Sequence, residues 1–431
     1  MSRWRVPRLG GKPWRYWAYV SLFILLGVGC GDLLDSHYVG LEARYWAYQK
    51  LAGIGPRGVE APNVAVVKIG DDEFWLGGLD RRTPIKRDYL ARLVEALAAA
   101  DPSVIALDFN LDAPVQGTRV ASEVIPDSPD YIDETKQLIA AVERVAKPTL
   151  KVVLPLTLDY HHYSRRTDDY PVNLTIFGDH RFPPTVWFGF INPRWDLRHV
   201  PISSAIRWPR RRIPSFARQV AIAKNVSIHV PNEQDGVLYG RFLKEEDFAF
   251  QVSAHDVLGQ PQGSWRSLVA HRVALVGSFA HADGVGLGGF IDNFYTPVGD
   301  APGVLLHANY VEAFLDRRVF GVLPGWVAKG IEILISFSVS WLFVSSMNYR
   351  AKLRWLVLLA SSALLLSYFC LQNLGVFFDP YLPSLFVIGH GAGEQAIEAI
   401  RSLVHDSREL RHLQKHSPMA TARAASPKTS A

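Results

Sequence analysis

Cysteine is scarce: the 431-residue chain has two, Cys30 and Cys370. Both lie in or beside apolar runs, so no disulfide framework is implied, even for a domain facing an oxidising compartment. Nucleotide motifs are missing as well. No Gly-Lys-Ser/Thr occurs, which removes a P-loop. Gly284, Gly286 and Gly289 formally spell a dinucleotide fingerprint. They begin well past the apolar run 273–277 and lead into more loop, not into a helix, so the fingerprint is rejected. No serine sits in a Gly-x-Ser-x-Gly elbow, and no His-Glu-x-x-His is present. His161-His162 has no partner at metal-ligand spacing. The expectation is a non-catalytic chain with no cofactor and no resident metal.

Acidic residues are absent from residues 1–15, which carry Arg3, Arg5, Arg8, Lys12 and Arg15. A second basic patch is Arg350, Lys352 and Arg354, and the tail from Glu394 is basic on balance. The net charge is +5, and these three patches more than account for it, leaving the rest of the chain net acidic. The basic excess flanks apolar segments, which argues against a nucleic-acid partner. Hydrophobic content is 48% with 12 Trp, which suits a core plus membrane segments.

Four membrane spans are expected from the apolar segments: 14–34, 326–345, 355–370 and 376–393. Lys329 and Glu332 fall near the outer end of the second, and Asp379-Pro380 and Pro383 interrupt the fourth. With residues 1–13 inside, four spans put all three basic patches in the cytoplasm, as the positive-inside rule asks. Residues 35–322 then lie outside, and 394–431 form a short cytoplasmic helix and an Ala/Ser/Thr/Pro-rich tail. A signal peptide is the competing reading of the first segment. Gly27-Val28-Gly29-Cys30 resembles a lipoprotein cleavage box with glycine at the usual leucine, so retention and cleavage at Cys30 both stay open.

Between the first two spans the pattern alternates strand and helix. Asn63-Val64-Ala65-Val66-Val67-Lys68-Ile69-Gly70 reads as a strand ending in Asp71-Asp72-Glu73. Residues 86–100 read as a helix, 104–109 as a strand ending at Asp108 with Asp112 close behind, 133–146 as a helix and 150–154 as a strand. This order predicts an α/β domain with a parallel or mixed sheet, joined to α-helical transmembrane segments. Pattern weakens over 160–212, with a strand at 187–190. A helix is expected over 214–223, opened by Pro214, a strand over 248–252, and a short helix capped by Ser253. The run 273–277 is a further strand. A glycine-rich loop, Asp292, Tyr295-Thr296-Pro297 and Pro302-Gly303 follow. A helix then carries Val304, Leu305, Ala308, Val311 and Leu315 on its apolar face.

These motifs, in this order, resemble the type-two CHASE domain, an extracellular sensory domain attached to bacterial cyclases, histidine kinases and Ser/Thr kinases. The resemblance rests on the first strand with its acidic turn and on Val104 to Asp108 with Asp112-Ala113-Pro114. It rests further on Val252-Ser253-Ala254-His255-Asp256-Val257-Leu258, on Val276-Gly277-Ser278, and on Tyr295-Thr296-Pro297 with Pro302-Gly303-Val304-Leu305-Leu306-His307-Ala308-Asn309. It covers most of 35–325, and three closing spans are usual in the family. Residues 160–212 have no family pattern and are expected as an insertion. No output domain is recognisable after Gly393, so the resemblance implies a sensor without its own effector in a bacterial cytoplasmic (inner) membrane, its large domain periplasmic or extracellular.

Asp71, Asp72, Asp108 and Asp112 fall at the ends of two expected strands, where a parallel sheet presents a crevice. They either receive a cationic ligand or a hard metal through carboxylate oxygens, or serve as caps and turns. His307 and Asn309 either line a ligand mouth with Asp292 and Thr296 or are packed helix residues. Two functions compete. One is a sensor that relays an outside small-molecule signal to a separate signalling protein. The other is a docking subunit of an envelope complex that uses 160–212 as a contact. A homodimer is compatible with the weak seam of Ile400, Leu403 and Leu410 in the tail.

Overall fold

The computed structural model describes residues 61–79, 85–111, 129–158, 180–193, 199–206, 211–224, 235–238, 242–284, 288–321, 324–344 and 349–374, with a few isolated positions besides. Asp112, 376–393 and, apart from Ser21, 14–34 lie outside the described residues.

The strands are β1 (Val64–Ile69), β2 (Val104–Asp108), β3 (Lys151–Leu156), β4 (Asp169–Tyr170), β5 (Val186–Phe190), β6 (His199–Pro201), β7 (Ser203–Ile206), β8 (Arg211–Pro214), β9 (Asp235–Leu238), β10 (Gln251–Ser253), β11 (Val273–Ser278), β12 (Asn293–Thr296), β13 (Gly299–Pro302) and β14 (Val319–Gly321). The helices of the same region are α1 (Arg87–Ala98), α2 (Pro129–Val145), α3 (Phe216–Ala223), α4 (Ala254–Gly259), α5 (Trp265–Val269) and α6 (Gly303–Leu315).

Six strands form one sheet in the order β10-β1-β11-β2-β3-β5. Every pairing is parallel, so the sheet is the parallel alternative of the two expected. Residues 160–212 are not all outside this core, because β5 forms its edge. The apolar runs are continuous because both faces are covered. Val64, Val66, Val104, Ala106, Val273 and Leu275 face α3 and α6. Ala65, Val67, Ile105, Leu107, Ala274 and Val276 face α1, α2, α4 and α5. Two three-stranded sheets, β14-β9-β6 and β4-β7-β8, and the hairpin β12–β13 are separate from the main sheet.

Local chemistry sets several boundaries. Ser253 accepts a hydrogen bond from the His255 backbone and opens α4, as expected. Helix α3 differs from expectation: Pro214 ends β8, and Ser215 is the cap, its hydroxyl accepting from Arg218 N. Gly277 is required by packing, since a Cβ there would collide with Val304 of α6. Helix α6 is buried from Gly303 to Phe314. An all-round apolar helix of this kind belongs inside a core. Burial of each of Leu305, Leu306, Val311 and Phe314 contributes about 1.5–3 kcal/mol.

The chain divides into two compact units: Tyr38–Leu323 with Tyr368–Phe378, and Met1–His37 with Pro324–Ser367 and Asp379–Ala431. Two long helices, α7 (Gly325–Val344) and α8 (Tyr349–Leu374), coincide with the expected second and third spans. Among the described residues, however, no helix is long and apolar enough to cross a membrane. Lys329 and Glu332 lie in the opening turns of α7, and Arg350, Lys352 and Arg354 lie in those of α8, ahead of its uncharged run 355–374.

Candidate functional site

The β1, β11 and β2 carboxyl ends are where the helices part. Strands β1 and β2 lead to α1 and α2 on one face, whereas the central β11 leads through the hairpin to α6 on the other. Neighbouring strands whose connections leave to opposite faces open a crevice at their carboxyl edge. Two polar clusters occupy this edge.

The first is built on the acidic turn after β1. Asp71 accepts from His281 N at 2.6 Å and lies 2.8 Å from His281 Nδ1. The His281 ring stacks on Phe290, with centroids 4.5 Å apart. Trp75 Nε1 donates to the His281 carbonyl at 2.9 Å, and Gly284 (φ +69°) lies against the Trp75 ring. Glu73 is buried and accepts from Gly70 N, Ser253 Oγ and His255 N at 2.7–2.9 Å. Asp71 and Glu73 therefore staple the glycine-rich loop and α4 to the strand end. Asp72 is exposed in the π-helical turn Asp72–Leu76.

The second cluster joins β2, the hairpin and α6. Asp108, paired in register with Gly277, ends β2 on the α6 side of the sheet. His307 Nε2 lies 3.6 Å from Asp108 Oδ1, and the two side chains are 7% and 5% exposed. His307 meets Phe216 of α3 edge-on at 5.4 Å. Asp292 is exposed as a residue, yet its carboxylate is pressed against Gly303, where a Cβ would collide with it. A side chain at the first position of α6 would make the Asp292 carboxylate swing away. The Asp292 carbonyl also accepts from Gly303 N at 3.0 Å.

Burial sets the protonation of this cluster. It raises Asp108 from 3.8 to about 7. It lowers His307 from 6.5 to about 4, with Asp292 and the Ile191 backbone pulling the other way. Asp292 is raised to about 6, first by burial of its carboxylate and then by the charge of Asp108. Because Asp292 as a residue is solvent-exposed, its shift counts for less than that of Asp108. The Asp108–His307 contact is therefore a pairing of two neutral groups near pH 6, not an ion pair. Among the described residues, Asp108 Oδ2 and His307 Nδ1 are buried without a hydrogen-bond partner.

The other predicted positions are structural ties. Asn309 is buried, accepts from Leu243 N at 2.7 Å, and donates to the Leu243 and Leu305 carbonyls at 3.0 Å. Thr296 donates to the Gly299 carbonyl at 2.7 Å and accepts from Val298 N, which shapes the hairpin. Of the eight residues named from sequence, the structure brings together Asp108, Asp292 and His307. It places Asp71 in the first cluster and leaves Asp72, Thr296 and Asn309 apart. Three important residues were not anticipated: His281, Glu73 and Glu312. Glu312 is fully buried on α6 and accepts from Asn63 N, Asn63 Nδ2 and Val64 N at 2.7–3.1 Å, fixing the opposite end of β1. An acid on an otherwise apolar helix was the available signal. No group of three or more metal-ligating side chains able to hold an ion occurs among the described residues.

A six-stranded parallel sheet covered by helices on both faces defines an α/β domain. A family model described as the CHASE2 domain matches residues 21–346. The chain belongs to the CHASE2 family, whose members are extracellular sensory domains. No curated protein and no solved structure matches the chain.

Proposed function

We propose that this protein is a non-catalytic sensor of a bacterial cytoplasmic membrane, with its α/β unit outside the cytoplasm and a separate protein receiving its signal. The observation that carries this reading is the buried, incompletely paired Asp108–His307 contact on α6. This helix ends at Leu315, and α7 begins at Gly325. A signal that favours one arrangement of the crevice can shift α6 and, through the connecting segment, bias α7. It can do so only by its differential affinity for the two arrangements.

Membrane attachment is supported by the basic patches that flank the apolar segments. The large exposed apolar side chains of α7 and α8, such as Leu334, Val357, Leu365 and Phe369, support it as well. Purification from native membranes in mild detergent, with mass spectrometry of co-purifying proteins, tests the relay. A co-purifying kinase or cyclase supports it. Stoichiometric envelope-assembly subunits would replace the sensor with a docking subunit.

A further inference from the structure

The proton is itself a candidate signal for this crevice. Among the described residues, the ionisable groups on the elements that pack there are few. Strand β2 supplies Asp108, the segment before β12 supplies Asp292, and α6 supplies His307. The cation of β1, Lys68, is engaged by Glu245 at 2.9 Å. Helix α3 carries Arg218, β13 carries Asp300, which is exposed, and β11 carries no charge. The far end of α6 holds Glu312, committed to Asn63 and Val64. Burial alone raises Asp108, and the charge of Asp108 in turn opposes ionisation of Asp292.

The packing leaves this cluster little room to relax. Gly277 lies against Val304, and Gly303 against the Asp292 carboxylate, with no space for a Cβ at either glycine. His307 is wedged between Asp108 and the Phe216 ring. A change in charge here acts on the first two turns of α6 and on the hairpin that carries Asp292.

We propose that Asp108, Asp292 and His307 form a proton-reading device, in which loss of protons from the two carboxylates loosens the hairpin and the first turns of α6. This rests on the sensor reading and names its signal as acidity outside the cytoplasm. In mildly acidic solution both carboxylates are neutral and the helix start is closed. As the pH rises through neutrality, two negative charges develop beside a neutral imidazole, and their repulsion is relieved by movement of the hairpin.

The test is hydrogen–deuterium exchange on the full-length detergent-solubilised protein at pH 5.5 and 8.0, corrected for intrinsic exchange, read on 288–310. The expected result is about tenfold weaker protection at the higher pH, the effect of one unit of pKa difference. The Asp108→Asn/Asp292→Asn protein is expected to lose this decline: with His307 left to titrate, its protection is equal or stronger at the higher pH. Unchanged protection in the wild-type protein, or a full response in the double variant, overturns the proposal. Asp292→Asn alone, at an exposed residue, keeps the test decisive if Asp108→Asn fails to fold: it must reduce the response. The sensor reading is scored separately, by disulfide crosslinking between engineered cysteines on α7 and α8 in membranes exposed to periplasmic extract. Exchange that ignores pH, with crosslinking that responds to extract, removes the proton and keeps the sensor. Exchange that follows pH, with crosslinking that never changes, keeps the device and removes the sensor.

Discussion

Asp108 and His307 contribute opposite pH dependences to stability, and removing either one should unmask the other. Asp108 is raised from 3.8 to about 7 on folding. The folded state then holds a proton that the unfolded state has lost. Stability from this group is full below its unfolded value and falls as the pH rises toward 7. A shift of about 3 units corresponds to about 4 kcal/mol. His307 is lowered from 6.5 to about 4. The unfolded state binds the extra proton here, so its contribution is present above 6.5 and is lost as the pH falls toward 4, by about 3 kcal/mol. Between pH 4 and 6.5 the two nearly cancel, leaving a shallow fall to which Asp292 adds a smaller amount because solvent screens it. The assay is urea unfolding of the solubilised protein at half-unit pH steps. Asp108→Asn should become more stable as the pH rises from 4 to 6.5, by up to about 3 kcal/mol. His307→Gln should become less stable from pH 4 to 7, by about 4 kcal/mol. Parallel profiles for wild type and both variants would refute the reasoning, since they would place both side chains in solvent-like surroundings.

Glu312→Ala should lower unfolding free energy by about 3–5 kcal/mol, because it strips the acceptor from three donors at the start of β1 in a buried setting; the urea midpoint reports it. Asn309→Leu should cost about 2–3 kcal/mol by removing the side-chain partner of Leu243 N and of the Leu243 carbonyl, again by urea unfolding. Gly303→Ala should cost about 1–3 kcal/mol and also displace Asp292, so Asp292→Gly in the same chain should recover part of the loss.

The strands were legible because they are buried on both faces: Val64 to Val67, Val104 to Leu107 and Val273 to Val276 read as uninterrupted apolar runs. Their order was not. Strand β11 lies between β1 and β2 although the chain reaches it about 170 residues after β2, and local periodicity carries no such pairing. The site was partly legible for the same reason. Asp108, Asp292 and His307 stand beside strand ends and a helix start, positions that sequence marks. Their meeting depends on α6 crossing the β2 end, which only the tertiary fold supplies. Asn309 and Thr296 looked equally chemical because a side chain tying backbone and one awaiting a signal have the same composition. Glu73 and His281 escaped because their partners are some 180–210 residues distant.

The most direct measurement of the central claim, that the CHASE2 unit faces outside the cytoplasm, is thiol labelling of intact cells. Asp300→Cys places a cysteine on an exposed hairpin position, in a chain whose Cys30 and Cys370 are replaced by serine, and a membrane-impermeant maleimide is added. The account predicts full labelling without permeabilisation. Labelling only after the membrane is opened would contradict it.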